Sequence, residues 1–234
     1  MKIPRMFIFV LTLLLLTGCR SPIYGQSVID WVDFIMLDGK HYYGIHSGVL
    51  ADDQYVGEKI GTVKFKVADN VTNTGYKIKD GDAAFHEKGT EIFQIKDHPH
   101  YIAVKDSHST NGYRVYYSRD DIEYQWHFRD MPIDEVKAIE IYQAHLPEGN
   151  ELISKLTKNE EVEAFLQLLI NSEANPNFRP STIRVDPIYY EMIFYTEDPV
   201  AYKYYMEFDG VTYYWHPSDT SILSDEIEMF IGEN

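Results

Sequence analysis

IYYEMIFYTEDPVAYKYYMEFDGVTYYWH, residues 188–216, is an aromatic-rich stretch that predicts three consecutive β-strands. Apolar and polar residues alternate along 188–195, 202–208 and 211–216, as expected for strands with one buried face. Asp209-Gly210 lies between the last two strands and favours a two-residue type I′ turn, because Asp and Gly both tolerate positive φ. The turn predicts three cross-strand pairs: Phe208 with Val211, Met206 with Tyr213, and Tyr204 with Trp215.

The residues before this stretch predict a strand and an amphipathic helix. Val136–Tyr142 has strand character, and Asn159–Ile170 carries apolar residues at helical spacing, namely Val162, Phe165, Leu166 and Leu169. Asn159 is the predicted N-cap. Ser224 is the predicted N-cap of a short closing helix with Ile227, Phe230 and Ile231 on its apolar side. The order indicates an α+β domain at 131–234, with helices packed on one face of an antiparallel sheet.

Residues 29–118 have the pattern of a separate, strand-rich domain. Asp38-Gly39 predicts a hairpin with three cross-strand pairs: Phe34 with Tyr43, Met36 with His41, and Val32 with Ile45. Further strands are predicted at 63–67, 91–95, 101–104 and 113–117. Glycines recur between these strands at turn-like intervals, so we expect a small barrel or a curled sheet. The charged stretch 119–132 is the predicted domain boundary.

The N-terminus has the pattern of an export signal. Lys2 and Arg5 precede the apolar run Met6–Leu16, which is too short to span a bilayer as a helix. The tetrad Leu16-Thr17-Gly18-Cys19 resembles a bacterial lipobox, in which the cysteine receives the lipid and becomes the new N-terminus. Cys19 is the only cysteine of the chain. The resemblance implies a signal peptide at 1–18, lipidation at Cys19, and a tether at 19–28.

A second resemblance lies within the first predicted domain. The segment KDGDAAFHEKGTEI, residues 79–92, resembles a stretch of uncharacterised exported lipoproteins of Bacillus-type bacteria. The resemblance implies a Gram-positive host and a location on the outer face of the plasma membrane. It assigns neither an activity nor a ligand to the chain.

The charge of the chain restricts its partners. The formal net charge is −16, and removal of Lys2 and Arg5 with the signal peptide makes it −18. Such an acidic protein is repelled by nucleic acid and by anionic lipid head groups. We therefore predict no nucleic-acid partner, and attachment to the membrane through lipidated Cys19.

Three short motifs contain residue types that are used in metal binding or catalysis. His98-Pro99-His100 and its acidic neighbours supply metal-ligand types but lack a recognised spacing. Gly44-Ile45-His46-Ser47-Gly48 has its serine one position too late for a nucleophile elbow. Asp80-Gly81-Asp82 lacks the later ligands of a calcium loop, so a polar turn is favoured. We predict no metal site and no cofactor, and these motifs leave the catalytic residues unknown.

The tyrosines of the second predicted domain suggest a binding surface. Strand alternation places Tyr205 and Tyr214 opposite the core face, beside Lys203 and His216. We expect these four residues to form a platform for a glycan or a peptide. The alternative is that the tyrosines only stabilise the sheet through cross-strand pairing.

Three classes of function are consistent with these features. The first is a non-catalytic, lipid-anchored binding or accessory module on the outer face of the membrane, with an unidentified protein or glycan partner. The second is an enzyme that acts on the cell wall or envelope. The third is an interaction subunit that docks a membrane protein.

Overall fold

The computed structural model describes residues 29–145, 149–181 and 186–231. It divides into two compact units. In one unit, which includes Val71–Tyr76, the described residues form a turn in which the Gly75 amide donates to Asn73 Oδ1 at 2.9 Å. The other unit, Trp31–Asn70 with Lys77–Asn234, contains both β-sheets.

Strands dominate the described residues. They are β1 (Phe34–Leu37), β2 (Lys40–Gly44), β3 (Gly48–Leu50), β4 (Val56–Thr62), β5 (Phe65–Lys66), β6 (Asp82–Ala83), β7 (Glu91–Ile95), β8 (Tyr101–Lys105), β9 (Tyr113–Ser118), β10 (Ala138–His145), β11 (Gly149–Leu156), β12 (Glu173–Ala174), β13 (Ile188–Tyr195), β14 (Val200–Phe208), β15 (Tyr213–Trp215) and β16 (Ser221–Ile222). The helical elements are α1 (Asn159–Ile170) and short 3₁₀ helices at Asp53–Tyr55, Thr110–Gly112, Phe128–Asp130, Ile133–Glu135 and Asp225–Phe230.

The first sheet is curled like half a barrel, with strand order β4-β7-β8-β9-β2-β1-β6-β5. The predicted hairpin is confirmed, because Asp38 and Gly39 both have positive φ and Phe34 pairs with Tyr43. The predicted pair of Val32 with Ile45 is wrong. The Ile45 amide donates instead to the Val115 carbonyl at 2.9 Å, while Val32 is exposed.

The second sheet is antiparallel, with strand order β11-β10-β13-β14-β15-β16-β12. One of its strands comes from the first half of the chain, since β3 pairs with β14 through Val49 and Ala201. The prediction of a strand-rich curled sheet followed by an antiparallel sheet is therefore confirmed. The division into domains at 29–118 and 131–234 stays a prediction.

The register at the second Asp-Gly pair differs from the predicted one. Met206 pairs with Trp215 and Phe208 with Tyr213, so the loop has four residues where two were predicted. Asp209 stabilises this longer loop because its Oδ1 accepts the Val211 and Thr212 amides, each at 2.9 Å. Since the shift is two residues, the predicted core face is preserved. Only Val211, now in the loop, is exposed where burial was predicted.

Helix α1 has the predicted bounds, and its four predicted apolar residues are buried. The predicted N-cap is wrong by one position: Lys158 is the N-cap, and it makes no side-chain capping bond. The closing helix is a 3₁₀ helix capped by Ser224, whose hydroxyl accepts the Glu226 amide. No helix among the described residues combines the length and hydropathy needed to cross a membrane.

One large apolar cluster contains residues from both halves of the chain. It contains the buried residues of α1, alternate residues of β10, β13 and β14, and also Val115 and Trp126. The intervening residues of these strands point to the opposite face, which carries a small apolar cluster of Val49, Ile193 and Ala201 as well as polar side chains. We call this opposite face the polar face.

Candidate functional site

The polar face of the second sheet carries three glutamates, each bonded to tyrosine. Glu140 accepts from the hydroxyls of Tyr142 and Tyr195, both at 2.7 Å. Glu207 accepts from the Tyr214 hydroxyl at 2.6 Å. Glu191 and Tyr205 are cross-strand partners in the register of β13 and β14, and their side chains are hydrogen-bonded. Hydroxyl donors therefore satisfy the hydrogen-bonding capacity of these partly buried carboxylates.

The loop between β8 and β9 packs onto this face. Thr110 Oγ1 donates to Glu191, which is only 4% exposed. Asn111 Nδ2 donates to the Leu50 carbonyl at 2.8 Å and to Tyr195 Oη at 3.3 Å. The loop thus ties the first sheet to the polar face of the second.

Lys203 lies beside Tyr205 on this face. Its Nζ lies 5.6 Å from the centre of the Tyr205 ring, within range of a cation–π interaction. No carboxylate of the described residues lies within ion-pair distance of this half-buried ammonium group. Burial is the main cause that lowers the pKa of Lys203; the nearby Glu191 carboxylate acts against this shift, and Arg114 adds to it. The ammonium is therefore partly desolvated, and the attraction of Glu191 offsets only part of that cost.

Arg114 lies in a buried polar group next to Lys203. Its Nη2 lies 2.8 Å from Asp33 Oδ2 and 3.2 Å from His46 Nδ1. The Asp33 side chain is 3% exposed and also accepts the Tyr116 hydroxyl at 3.1 Å. Asp33 therefore neutralises and orients the guanidinium, whose outer part stays accessible.

Two histidines complete this group. His86 Nε2 lies 2.6 Å from Tyr116 Oη, and His46 lies against Arg114. Burial lowers the pKa of both histidines, and the positive charge of Arg114 lowers them further. Burial also raises the pKa of Tyr116, with Asp33 as the next cause. The histidines are therefore neutral at neutral pH and add no charge to the group.

The buried polar group around Arg114 lies next to Lys203 and Tyr205, at the place where the two sheets join. The Lys203 amide donates to the Ser47 carbonyl at 3.0 Å, which places His46 beside β14. We call the combined set the seam cluster: Asp33, His46, Arg114, Glu191, Lys203 and Tyr205. Its two half-buried cationic groups, Arg114 and Lys203, belong to a chain that is otherwise strongly acidic.

The predicted platform is only partly assembled. Lys203 and Tyr205 lie together in the seam cluster, and Tyr205 is 47% exposed. The expectation that Tyr214 is exposed is wrong: it is 3% exposed, because Phe178 packs on it with ring centres 4.9 Å apart. His216 is exposed and contacts Tyr214 with its ring edge.

Sequence reasoning missed Asp33, Arg114 and Glu191. Each is a charged residue among apolar strand neighbours, which is a signal of a buried and paired charge. The sequence did not reveal the partners, because Asp33 and Arg114 are distant in the chain.

The structure describes the residues of all three short motifs. No group of three His, Cys, Asp or Glu side chains in the described ranges is placed to hold a metal ion. His46 of the Gly44–Gly48 motif belongs to the seam cluster. Asp80 accepts the Gly39 amide at 3.3 Å and pairs with Lys64, as in a polar turn. Cys19 and the lipobox lie outside the described residues.

Comparison of the chain with protein-family models, with curated proteins and with solved structures gives no match.

Proposed function

We propose that this protein is a lipid-anchored binding or accessory module on the outer face of a bacterial plasma membrane. The lipobox resemblance supports the anchor at Cys19. The strand-rich body supports a rigid binding surface, and we further propose that α1 and the closing helix cover one face of the second sheet. The opposite face would then present the seam cluster to the ligand.

One observation supports an anionic ligand: the half-buried ammonium of Lys203 makes no ion pair within the described residues, and the attraction of Glu191 only partly offsets its burial. A buried cation is stabilised when an anion binds beside it, and a charge-assisted hydrogen bond is stronger than a neutral one. Arg114 supplies a second cation, and the exposed Tyr205 ring supplies a stacking surface. This combination suits a saccharide or similar ring that carries a carboxylate or a phosphate.

Substitution of Lys203 tests the ligand. Purified protein should bind glucuronic acid or glucose 6-phosphate, measured by calorimetry, and should not bind glucose. Lys203→Met should weaken that binding by about 10-fold or more, since one charge-assisted bond is lost. Its melting temperature should be unchanged or higher, because methionine fills the site without a desolvated charge.

Lys105→Met is the matched control. Lys105 also lies over an aromatic ring, with Nζ 5.8 Å from the centre of Phe93, but on the first sheet. Its substitution should leave binding unchanged. The proposal of an anionic ligand is overturned if neither charged sugar binds, or if both lysine variants behave alike. The alternative of a wall-directed enzyme predicts conversion of the bound sugar, which mass spectrometry of the recovered probe detects.

Substitution of Cys19 tests the anchor. Cys19→Ala removes the thiol that would receive the lipid, so the protein should keep residues 1–18 and lose the acyl mass. Mass spectrometry of the N-terminal peptide from membrane fractions measures both. A wild-type protein with an unmodified Cys19, or with a mature N-terminus elsewhere, contradicts the proposal.

A further inference from the structure

A groove away from the seam cluster lies along helix α1. It has a volume of about 800 Å³ and runs between α1 and the segment Ile133–Lys137. A smaller groove of about 350 Å³ also contacts Ile133 and extends to Ile170 at the end of α1. The two grooves therefore follow the same helix.

The dimensions suit an extended peptide. Helix α1 has 12 residues, which gives a length of about 18 Å. An extended chain rises about 3.3 Å per residue, so five or six residues span this length. In such a peptide, alternate side chains point to opposite sides, one set toward the groove floor and the other toward its rim.

The chemistry of the groove differs between floor and rim. Val162 and Leu166 of α1 lie at the floor, with the half-buried Ile133 and Val136 beside them. The rim carries the exposed carboxylates of Asp134, Glu135 and Glu163.

Within the described residues, these three carboxylates make no ion pair, whereas the remaining charged group of the rim, Lys137, is paired with Glu197. The rim is therefore negative and uncompensated.

We propose that this groove binds an extended peptide segment of a protein partner in which basic and apolar residues alternate. The basic side chains would pair with the rim, and the apolar ones would cover the floor. A second copy of this chain is a poor occupant because both copies carry a net charge of −16. The proposal is independent of the anionic ligand at the seam cluster.

Peptide binding tests the proposal. The probe is fluorescein-labelled acetyl-KLKLKL-amide, measured by anisotropy against purified full-length protein in nonionic detergent, with detergent alone as the blank. We expect saturable one-to-one binding that weakens with added salt. The peptides acetyl-ELELEL-amide and acetyl-KSKSKS-amide should bind much more weakly, because the first reverses the charge and the second removes the apolar side chains.

Two triple variants locate the binding. Asp134→Asn with Glu135→Gln and Glu163→Gln removes the rim charges and should weaken binding about 10-fold, since three exposed ion pairs are lost. The control removes the same charge from exposed acids outside the groove, Glu58→Gln with Glu123→Gln and Asp219→Asn, and should have little effect. Equal effects of the two variants would show unspecific attraction to an acidic protein and would overturn the proposal.

Hydrogen exchange provides a second measurement that needs no variant. The bound probe should slow exchange of the amides at 133–137 and leave those at 203–216 unchanged. Slowed exchange elsewhere, or concentration-dependent self-association of the free protein through this segment, would overturn the proposal. Lys203→Met should leave peptide binding unchanged, so failure of the anionic-ligand proposal is distinguishable from failure of this one.

Discussion

Asp33 is the residue on which the buried polar group depends. Its backbone carbonyl accepts the Gly44 amide at 3.0 Å, while its carboxylate bonds to Arg114 and Tyr116. A Cβ atom at position 44 would lie 2.3 Å from Asp33 Oδ2, so a side chain there would displace the carboxylate. The glycine is therefore required by close approach to a charged group, and not by its own backbone angles.

His86 gives this group a dependence on pH. Burial lowers the pKa of His86 in the folded protein, so the unfolded chain binds the proton more tightly, near pH 6.5. Acidification from pH 7 through pH 6.5 toward the folded pKa therefore favours unfolding. Three charged residues near His86 also affect its pKa. Asp33 and Asp106 raise it, and Arg114 lowers it.

We expect the unfolding free energy of wild type to fall between pH 7 and pH 5. The unfolding free energy of His86→Gln should fall less steeply over the same range. Urea titrations at pH 7, 6 and 5 measure both slopes. The control is His108→Gln, since the side chain of His108 is 94% exposed. Carboxylates with lowered pKa, such as Asp209, act in a separate window below about pH 4. Equal slopes for His86→Gln and wild type would contradict the prediction.

At the level of elements, the two Asp-Gly turns show what sequence could and could not predict. At Asp38-Gly39, both residues have positive φ and the predicted register is confirmed. At Asp209-Gly210, only Gly210 has positive φ, because the Asp209 carboxylate binds the amides that follow it. Its other oxygen also accepts the Ser181 amide at 2.6 Å. That contact comes from a distant segment, so local sequence could not indicate it.

The strand faces were easier to predict than the strand partners. Alternation correctly placed Tyr204, Met206 and Trp215 in the core, because one buried face imposes a period of two. Alternation also placed Lys203 and Tyr205 on the other face, where they lie in the seam cluster. It could not show that Phe178 covers Tyr214, since a covering segment is a tertiary contact.

At the scale of the whole molecule, the predicted domain boundary contains a residue of the shared core. Trp126 is 1% exposed, and its ring contacts those of Tyr101 and Tyr117 from the first sheet. Its carbonyl accepts the hydroxyl of Tyr204 from the second sheet at 3.0 Å. These contacts favour unfolding of both sheets together.

Tyr204→Phe tests this coupling. It removes one buried hydrogen bond and should lower the unfolding free energy by about 1 kcal/mol. If the sheets unfold together, circular dichroism and tryptophan fluorescence should each show a single unfolding transition. The substitution should shift that transition by the same amount in both measurements. Two transitions, of which only one shifts, would support independent domains at 29–118 and 131–234. Tyr113→Phe is the control, because its hydroxyl bonds to no other described residue.

The pairing of β3 with β14 also affects the order of folding. Val49 lies near the start of the chain, and its partner Ala201 lies near the end. During synthesis, β3 therefore lacks its partner strand until the chain has been made as far as β14. Contacts of such long sequence separation slow folding, since the loop-closure entropy is lost before the contact forms. A chain truncated before residue 200 therefore leaves the edge of β3 that pairs with β14 without its partner, and such an open edge favours aggregation.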